Sequence, residues 1–321
     1  MKMTVDIGGT KTLWTIWHDD DIIDRGTCPT SNISDFSRFL KDVMDSFIAA
    51  HPDSKFSRLA FALAGPVNDN IFTLTNTGQT IDFSQIRREF SHVQEIIFLN
   101  DLEALAHSIE HLTESGQLVL FRSEAFSDAK GAKAVLSLGT GLGVAAVSRE
   151  GIVIPSEGGH IDFSPNGEKQ KMIYDRLSKQ YGHVSYERLL SGQGLSNIFS
   201  IILDEQESGG SDAMACRPRQ KMHPAQITAL ARSGNRTAKE AFRIFSEILG
   251  AACGNYALVY NASGGIYIGG GMIPKILPLI DKEIFENAYL NKGRFKDFLD
   301  NIPVYVIIDE TAPSIGAMRA I

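Results

Sequence analysis

Glycine-rich turns follow three apolar, strand-like runs of this sequence. The three stretches read "DIGGTKT" from residue 6, "LSLGTGLGVA" from residue 136 and "IGGGMIPK" from residue 268. Glycine lets a backbone adopt positive φ and approach a ligand closely, and successive free N–H groups form an anion site. No turn matches the P-loop or dinucleotide fingerprints, and each alone is more typical of a plain β-turn. Three in one chain favour a protein that handles phosphate groups.

Asp6 lies directly before the first of these turns. A carboxylate beside a phosphate cradle suits Mg²⁺, which prefers oxygen ligands and often keeps water between itself and the protein. The alternative is a strand-terminal Asp that hydrogen-bonds its own turn.

Asn100 and Asp101 end one apolar run and open a helix-like stripe, "DLEALAHSIEHL". Both residue types are good helix N-caps, so capping is one interpretation. The other is a carboxylate at the carboxyl edge of a sheet, where α/β proteins bind ligands. There Asp101 is placed to accept a proton from a substrate hydroxyl, and the nearby helix N-terminus is expected to keep it ionised.

The stretch "PSEGGHIDF" sets Glu157 and His160 around two glycines. It is more typical of a binding loop than of a strand. Carboxylates and imidazoles are groups that pair with sugar hydroxyls, whereas a zinc site needs further ligands at a spacing that the sequence lacks. Glu187, in "SYERLLSG", is by itself more typical of an exposed helix position than of a ligand-binding one.

A weak internal repeat organises the chain. Gly8 overlies Gly139 at an offset of 131 residues, and both copies read strand, glycine turn, strand, turn, strand. Two unrelated hairpins are the alternative. Further strands are predicted at 57–65, 95–100 and 302–309, helices from Asp101 and from Pro224 to about Tyr260 with a break near Gly234, and a surface loop at 204–222. Hairpins with strand–helix units indicate an α/β protein with two similar halves.

Composition excludes several classes of protein. The 321 residues are 21% charged and 43% hydrophobic, which is typical of a folded globular chain. A net charge of −7 offers no reason to bind nucleic acid or anionic lipid, and no apolar run approaches the roughly 20 residues that span a bilayer. Three widely spaced cysteines argue against a disulfide framework and suit a reducing cytoplasm, so a cytoplasmic location is expected.

Taken in order, these motifs resemble the bacterial ATP-dependent glucokinases of the hexokinase–actin–Hsp70 superfamily. The resemblance runs from residue 6 to about residue 307 and rests above all on "NDLEALA", "EGGHIDF" and "ERLLSGQGL". It implies a two-domain actin-like ATPase (ribonuclease H-like) fold with a duplicated β-hairpin/βα core around an interdomain cleft. The expected domains are a small α/β domain, 1–110 plus 302–321, and a large α/β domain, 111–301.

The resemblance also implies a role for each site residue. Asp101 is the expected general base toward the glucose 6-hydroxyl, and Asp6 helps to position Mg²⁺ through water. The expected sugar-binding residues are Asn100, Asp101, Glu157, His160 and Glu187. The residues expected to bind ATP are Asp6, Gly8, Gly9, Thr10, Lys11, Gly139, Thr140, Gly141, Gly269 and Gly270.

Glucose and ATP are therefore the expected small-molecule partners, with Mg²⁺ as cofactor, a homodimer as the assembly, and no nucleic acid or membrane partner. One departure from the family concerns Gln79, which stands near the position of a common tryptophan and bears on sugar selectivity. A kinase for another hexose and a non-catalytic sugar or nucleotide sensor are alternatives, and ADP and polyphosphate remain open as donors. Gly141→Val is expected to damage ATP use while leaving glucose binding largely intact.

Overall fold

Two structural units divide the chain in the computed structural model, which describes residues 1–65, 67, 70–74, 78–114, 118–122, 130–208 and 221–320. Unit 1 comprises Met1–Ser115 with Thr311–Ile321, and unit 2 comprises Gly116–Glu310. The boundary expected at residue 302 is corrected to 311. The reason is that the strand at 304–307 pairs with strands of unit 2 on both sides.

The elements of unit 1 form one main sheet with helices. They are β1 (Lys2–Ile7), β2 (Lys11–His18), β3 (Asp21–Pro29), α1 (Phe36–Ala50), β4 (Arg58–Leu63), β5 (Ile71–Thr73), β6 (Thr80–Asp82), α2 (Phe83–Glu89), β7 (Glu95–Asn100) and α3 (Asp101–Glu114), with a last helix after unit 2. The sheet order is β3-β2-β1-β4-β7, and β5 pairs only with β6.

Unit 2 repeats this plan with more helices. Its elements are β8 (Leu118–Arg122), β9 (Lys133–Leu138), β10 (Leu142–Val147), β11 (Val153–Ser156), α4 (Gly167–Tyr181), α5 (Gly192–Ser208), α6 (Pro224–Arg232), α7 (Arg236–Val259), β12 (Ile266–Gly269), α8 (Ile273–Ile276), α9 (Lys282–Leu290), α10 (Lys296–Asp300) and β13 (Val304–Ile307). The sheet order is β11-β10-β9-β12-β13-β8. The last helix of the chain, α11 (Ala312–Arg319), returns to unit 1.

The internal repeat is a duplicated sheet. In each unit a three-stranded antiparallel meander leads into parallel strands: β1 pairs with β4 and β4 with β7, while β9 pairs with β12 and β12 with β13. Strands β1 and β9 differ by the predicted 131 residues. The turns differ by one residue, because Ile7 pairs with Thr12 whereas Leu138 pairs with Leu142. The fold class predicted from the sequence, α/β with a duplicated core, is confirmed.

Burial explains why the central strands read as continuous apolar runs. Five of the six residues of β4 are buried, as expected for a parallel strand covered on both faces. On one face Ala60 and Ala62 cluster with Ala104 of α3 and Ala317 of α11. A Cβ on Gly316 of α11 would collide with the Ala104 carbonyl. Small residues therefore let α3 and α11 pack closely behind the strands that end at Ile7, Leu63 and Asn100.

Most predicted elements are present. The helical stretch from Pro224 breaks at Gly234, which has a φ of 95°, into α6 and α7. The predicted loop at 204–222 is shorter, since α5 continues to Ser208, and residues 209–220 lie outside the described residues, as does most of the "LTNT" motif at 74–77. Within the described ranges, no helix has the length and apolar character needed to cross a bilayer.

Candidate active site

The carboxyl ends of three parallel strands align at one edge of the unit 1 sheet. Ile7 of β1 pairs with Leu63 of β4, which pairs with Asn100 of β7. The residues that follow these strands therefore lie along the same edge. They are the first glycine turn, Ala64-Gly65 and Asp101, so the fold gathers the motifs that the sequence analysis singled out in the first half of the chain.

Asn100 is the cap of α3. Its Oδ1 accepts a 2.8 Å hydrogen bond from Leu102 N, and its main-chain N–H donates to Glu103 Oε2 at 3.0 Å. This reciprocal pair is a capping box. Its Nδ2 donates to Gly65 O at 2.7 Å. The capping interpretation thus holds for Asn100, which keeps one amide hydrogen and one lone pair for a ligand.

Asp101 is the partly buried carboxylate beside that cap. It accepts a 2.9 Å hydrogen bond from Leu102 N. Burial raises the pKa of Asp101 to about 6, and main-chain N–H donors oppose that rise. Among the described ion pairs, none involves Asp101. It is therefore a carboxylate that is ionised at pH 7, and its pKa suits a general base.

Asp6 completes the acidic pair of unit 1. Burial first, and then the charge of Asp101, raise the pKa of Asp6 to about 7, while Lys11 opposes the rise. Asp6 thus holds its proton to a higher pH than Asp101. A divalent cation beside Asp6 would favour the ionised form of that carboxylate.

Thr30 holds the first glycine turn, and sequence reasoning missed this residue. Gly8 N donates to Lys11 O at 3.0 Å, and the buried Thr30 donates to Gly8 O at 2.8 Å and to Thr10 O at 3.1 Å. The N–H groups of Gly9 and Thr10 bond no acceptor within the described part of the chain. Thr30 lies in the stretch "TCPTSN", which contains no recognisable motif, so the sequence offers no signal for it.

The second and third glycine turns adjoin in unit 2. Gly270 has a φ of 96°, and a Cβ there would collide with the backbone of Leu138. Met272 N donates to Leu138 O at 3.1 Å, and Gly192 N, at the start of α5, donates to Gly139 O at 3.0 Å. Gly269 pairs with Ser137 in the parallel ladder. Two predicted nucleotide turns and a helix N-terminus therefore meet at one place.

The turn at Gly139–Gly141 leaves donors available. Gly139 N donates to Gly141 O at 3.0 Å, whereas the N–H groups of Thr140 and Gly141 bond no acceptor among the residues described. A Cβ on Gly139 would meet open space. Free N–H groups at the N-terminus of the 17-residue helix α5 make an anion-binding arrangement.

The loop that carries Glu157 and His160 lies against β10. A 3₁₀ turn spans Gly158–His160, and Cβ atoms on Gly158 and Gly159 would collide with Val144 and with Leu142 O, respectively. Ser156 Oγ donates to Val144 O at 2.6 Å. The two glycines therefore have a packing role, because they let the loop approach β10, the strand that follows the turn at Gly139–Gly141.

Two tyrosines of α7 support this loop from the other side. Tyr256 is buried and donates to Gly158 O at 2.6 Å, and Tyr260 donates to Ser156 Oγ at 3.1 Å. Sequence reasoning missed both, because an aromatic at helical spacing is ordinary core and nothing in the sequence links residues about a hundred positions apart.

Glu187 lies between the turn and the loop. Its Oε2 accepts from Leu142 N at 3.1 Å, and its Oε1 lies 3.9 Å from His160 Nδ1. A Cβ on Gly141 would collide with Oε2. A side chain at residue 141 would therefore displace Oε2 as well as alter the turn. The expectation that Gly141→Val damages ATP use while sparing glucose binding stays a prediction.

The predicted residues thus form two groups, one in each unit. Unit 1 holds Asp6, the turn Gly8–Lys11, Asn100 and Asp101, and unit 2 holds the turns at Gly139–Gly141 and Gly269-Gly270 with Glu157, His160 and Glu187. No group of three or more His, Cys, Asp or Glu in the described ranges is placed to hold a metal ion. The carboxylate of Asp6, just before a turn with free N–H groups at Gly9 and Thr10, fits a Mg²⁺ held mainly by water and phosphate oxygens.

A family model described as glucokinase matches residues 3–321. The chain belongs to the glucokinase family. It is 32% identical over 315 residues to a glucokinase of Photorhabdus laumondii, covering 95% of this chain and 92% of that protein. It is 35% identical over 285 residues to a glucokinase of Yersinia pestis, covering 88% of this chain and 83% of that protein. The glucokinase family predicted from the motifs is therefore confirmed.

Solved structures of glucokinases share the fold. A glucokinase from an Antarctic psychrotroph superposes with a TM-score of 0.82 at 26% identity, over 99% of this chain and 97% of that one. A Balamuthia mandrillaris glucokinase solved with glucose gives a TM-score of 0.77 at 20% identity, over 99% and 92%. The second likeness is one of fold alone.

Proposed function

We propose that this member of the glucokinase family transfers the γ-phosphoryl group of ATP to the 6-hydroxyl of glucose, with Asp101 as the general base. The observation that carries the assignment is the carboxylate of Asp101 at the carboxyl edge of β7. It is partly buried, pairs with no described cation, and has a pKa near 6. Above that pH it is ionised and accepts a proton.

In the proposed chemical step, the protein forms no covalent bond to the substrate. Asp101 takes the proton of the 6-hydroxyl as its oxygen bonds the γ-phosphorus, while the bond from that phosphorus to the β,γ-bridging oxygen breaks and ADP leaves. Such transfers depend mainly on positioning and on charge stabilisation. Asn100, Glu157, His160 and Glu187 hold the remaining hydroxyls, because buried polar groups left unpaired by the wrong sugar give strong discrimination.

The nucleotide is assigned to the glycine turns. The free N–H groups of Thr140 and Gly141, at the N-terminus of α5, are suited to phosphate oxygens, and Gly269-Gly270 permit close approach of the adenosine. In unit 1 the N–H groups of Gly9 and Thr10 and the cation of Lys11 offer further anion contacts. Bound Mg²⁺ supplies charge neutralisation at the phosphates, with Asp6 positioning it through water.

A panel of sugars and donors tests this assignment. With ATP as donor, the release of ADP is measured for glucose, mannose and an amino sugar. With ADP or polyphosphate as donor, the consumption of the donor is measured for glucose. Glucose with ATP is expected to give the highest kcat/KM by at least about tenfold. A higher value for another hexose contradicts the glucose assignment. Glucose binding without turnover makes the chain a sensor.

Gln79 is the residue that bears on whether the chain accepts hexoses other than glucose. Its Nε2 donates to Ile33 O at 2.6 Å, so the side chain is held against the segment before α1. The family commonly carries a tryptophan near the position of Gln79. A Gln79→Trp variant that narrows the accepted sugars toward glucose would assign selectivity to this position.

We also propose that the chain works as a homodimer in the cytoplasm. The family resemblance implies the dimer, and widely spaced cysteines suit a reducing compartment. Light scattering after gel filtration is expected to give twice the 35.1 kDa of one chain.

A further inference from the structure

Glu187 contacts both functional segments of unit 2. One carboxylate oxygen, Oε2, accepts from Leu142 N at 3.1 Å, directly after the phosphate turn. The other, Oε1, faces His160 Nδ1 of the sugar loop at 3.9 Å, which is too long for a hydrogen bond. Oε1 therefore keeps acceptor capacity for a donor that enters beside His160. A sugar hydroxyl is such a donor.

The turn and the loop are also locked to each other sterically. A Cβ on Gly159 would collide with the main-chain oxygen of Leu142, and a Cβ on Gly141 would displace Glu187 Oε2. Tyr186, the neighbour of Glu187, is fixed by a 2.7 Å hydrogen bond from Asn255 Nδ2. The carboxylate of Glu187 is planar and Leu142 N holds its Oε2, so a ligand that orients Oε1 also orients Oε2.

We propose that Glu187 couples the sugar and nucleotide sites, so that a sugar hydroxyl on Oε1 tightens ATP binding at the Gly139–Gly141 turn. The inference rests on the proposed function. It assigns a positioning role to Glu187 beyond contact with the sugar.

The sign of the coupling follows from charge. The carboxylate of Glu187 lies beside the turn whose free N–H groups are proposed to bind the ATP phosphates. Its negative charge repels the negative charge of those phosphates. A hydroxyl that donates to Oε1 spreads the carboxylate charge and fixes Oε2 on Leu142 N, which holds the turn in one conformation. Both effects favour phosphate binding. By linkage, ATP tightens sugar binding by the same factor.

Binding of the non-hydrolysable ATP analogue AMPPNP tests the coupling. Calorimetry measures its Kd with Mg²⁺, with and without saturating glucose, for the full chain and for Glu187→Gln. Glucose is expected to tighten AMPPNP about five- to tenfold in the unmodified chain, within the usual range of couplings. In Glu187→Gln the factor is expected to fall to half or less, while AMPPNP affinity without glucose is retained or improved because the charge is gone.

Two further variants separate coupling from a merely structural role. Gly141→Ala pushes Oε2 away without changing Glu187 and is expected to lower the factor in the same way. Glu157→Gln weakens the sugar loop without touching the turn, so it is expected to raise the glucose Kd but keep the factor at saturation. Thermal unfolding checks that each variant is folded.

A coupling factor that is unchanged in Glu187→Gln, or that falls equally in Glu157→Gln, overturns the inference, as does a factor near one in the unmodified chain. Failure of the proposed function is a separate observation. It appears as no ADP release from ATP with glucose in the unmodified chain.

Discussion

The hydroxyl of Tyr256 donates a 2.6 Å hydrogen bond to the carbonyl oxygen of Gly158. The tyrosine is on α7, and the glycine follows Glu157 at the start of the 3₁₀ turn that ends at His160. One buried hydroxyl therefore fixes the main chain of the loop assigned to sugar binding.

Tyr256→Phe is expected to raise KM for glucose several-fold with a smaller change in kcat. The reason is that the variant removes the shorter of the two hydrogen bonds that Gly158 O accepts and leaves only the 3.4 Å bond from Ile161 N. Loss of one such bond costs about 0.5–1.5 kcal/mol, while the chemistry at Asp101 is untouched. Steady-state kinetics and urea unfolding measure the two effects.

Tyr260→Phe is the matched control for that variant. Its hydroxyl makes a longer, 3.1 Å bond to a side chain, Ser156 Oγ, so smaller effects on KM and stability are expected. Equal effects of the two variants would show that the loop has no special dependence on Tyr256.

The pH dependence of kcat/KM reports the proposed base. Burial raises the pKa of Asp101 to about 6, and a base acts only when deprotonated, so kcat/KM for glucose is expected to fall about tenfold per pH unit below pH 6. Rates from pH 4.5 to 8 at saturating Mg²⁺ give the profile. A profile that stays level down to pH 5 contradicts the assignment.

Asp6→Asn is expected to stabilise the folded chain at alkaline pH while impairing catalysis. Its carboxyl has a folded pKa of about 7 against an ordinary value of 3.8. An acid whose pKa is raised on folding lowers the free energy of unfolding as pH rises from the unfolded to the folded value. The loss is complete above pH 7 and amounts to at most about 4 kcal/mol.

Unfolding at pH 4 and pH 8, without nucleotide or Mg²⁺, measures this effect. The gain in Asp6→Asn is expected to be large at pH 8 and small near pH 4, where the folded aspartate is protonated and the unfolded one, with its ordinary pKa of 3.8, is only partly ionised. Asp53→Asn removes the same charge from an exposed position and serves as control. A gain of equal size at both pH values would contradict the burial explanation.

The duplicated core could be predicted from sequence because the same order of strands and turns occurs twice. Strands β1 and β9 stand 131 residues apart as the glycine alignment requires. The one-residue difference in hairpin register could not be predicted, since the turns at Gly8 and Gly139 are both glycine-rich and the pairing depends on which N–H closes each turn. Helix α1 carries no chemical motif and has no counterpart among the predicted elements.

The candidate site could be predicted as a set of residue types but not as contacts. Glu187 and Leu142 are 45 positions apart, and Tyr256 and Gly158 are 98 apart, so neither pairing has a local signal. The pKa of Asp101 shows the same limit. Sequence places it at a helix N-terminus, which favours the charge, but the tertiary fold buries it, and burial raises its pKa to about 6.

Asp101→Asn tests the central claim most directly. The variant keeps the size of the side chain and its ability to accept from Leu102 N, but it cannot take a proton. We predict that kcat falls about 10²- to 10⁴-fold while the Kd for glucose, measured by calorimetry, changes less than about threefold. A kcat within tenfold of the unmodified chain, with glucose still phosphorylated, would contradict the assignment of Asp101 as the general base.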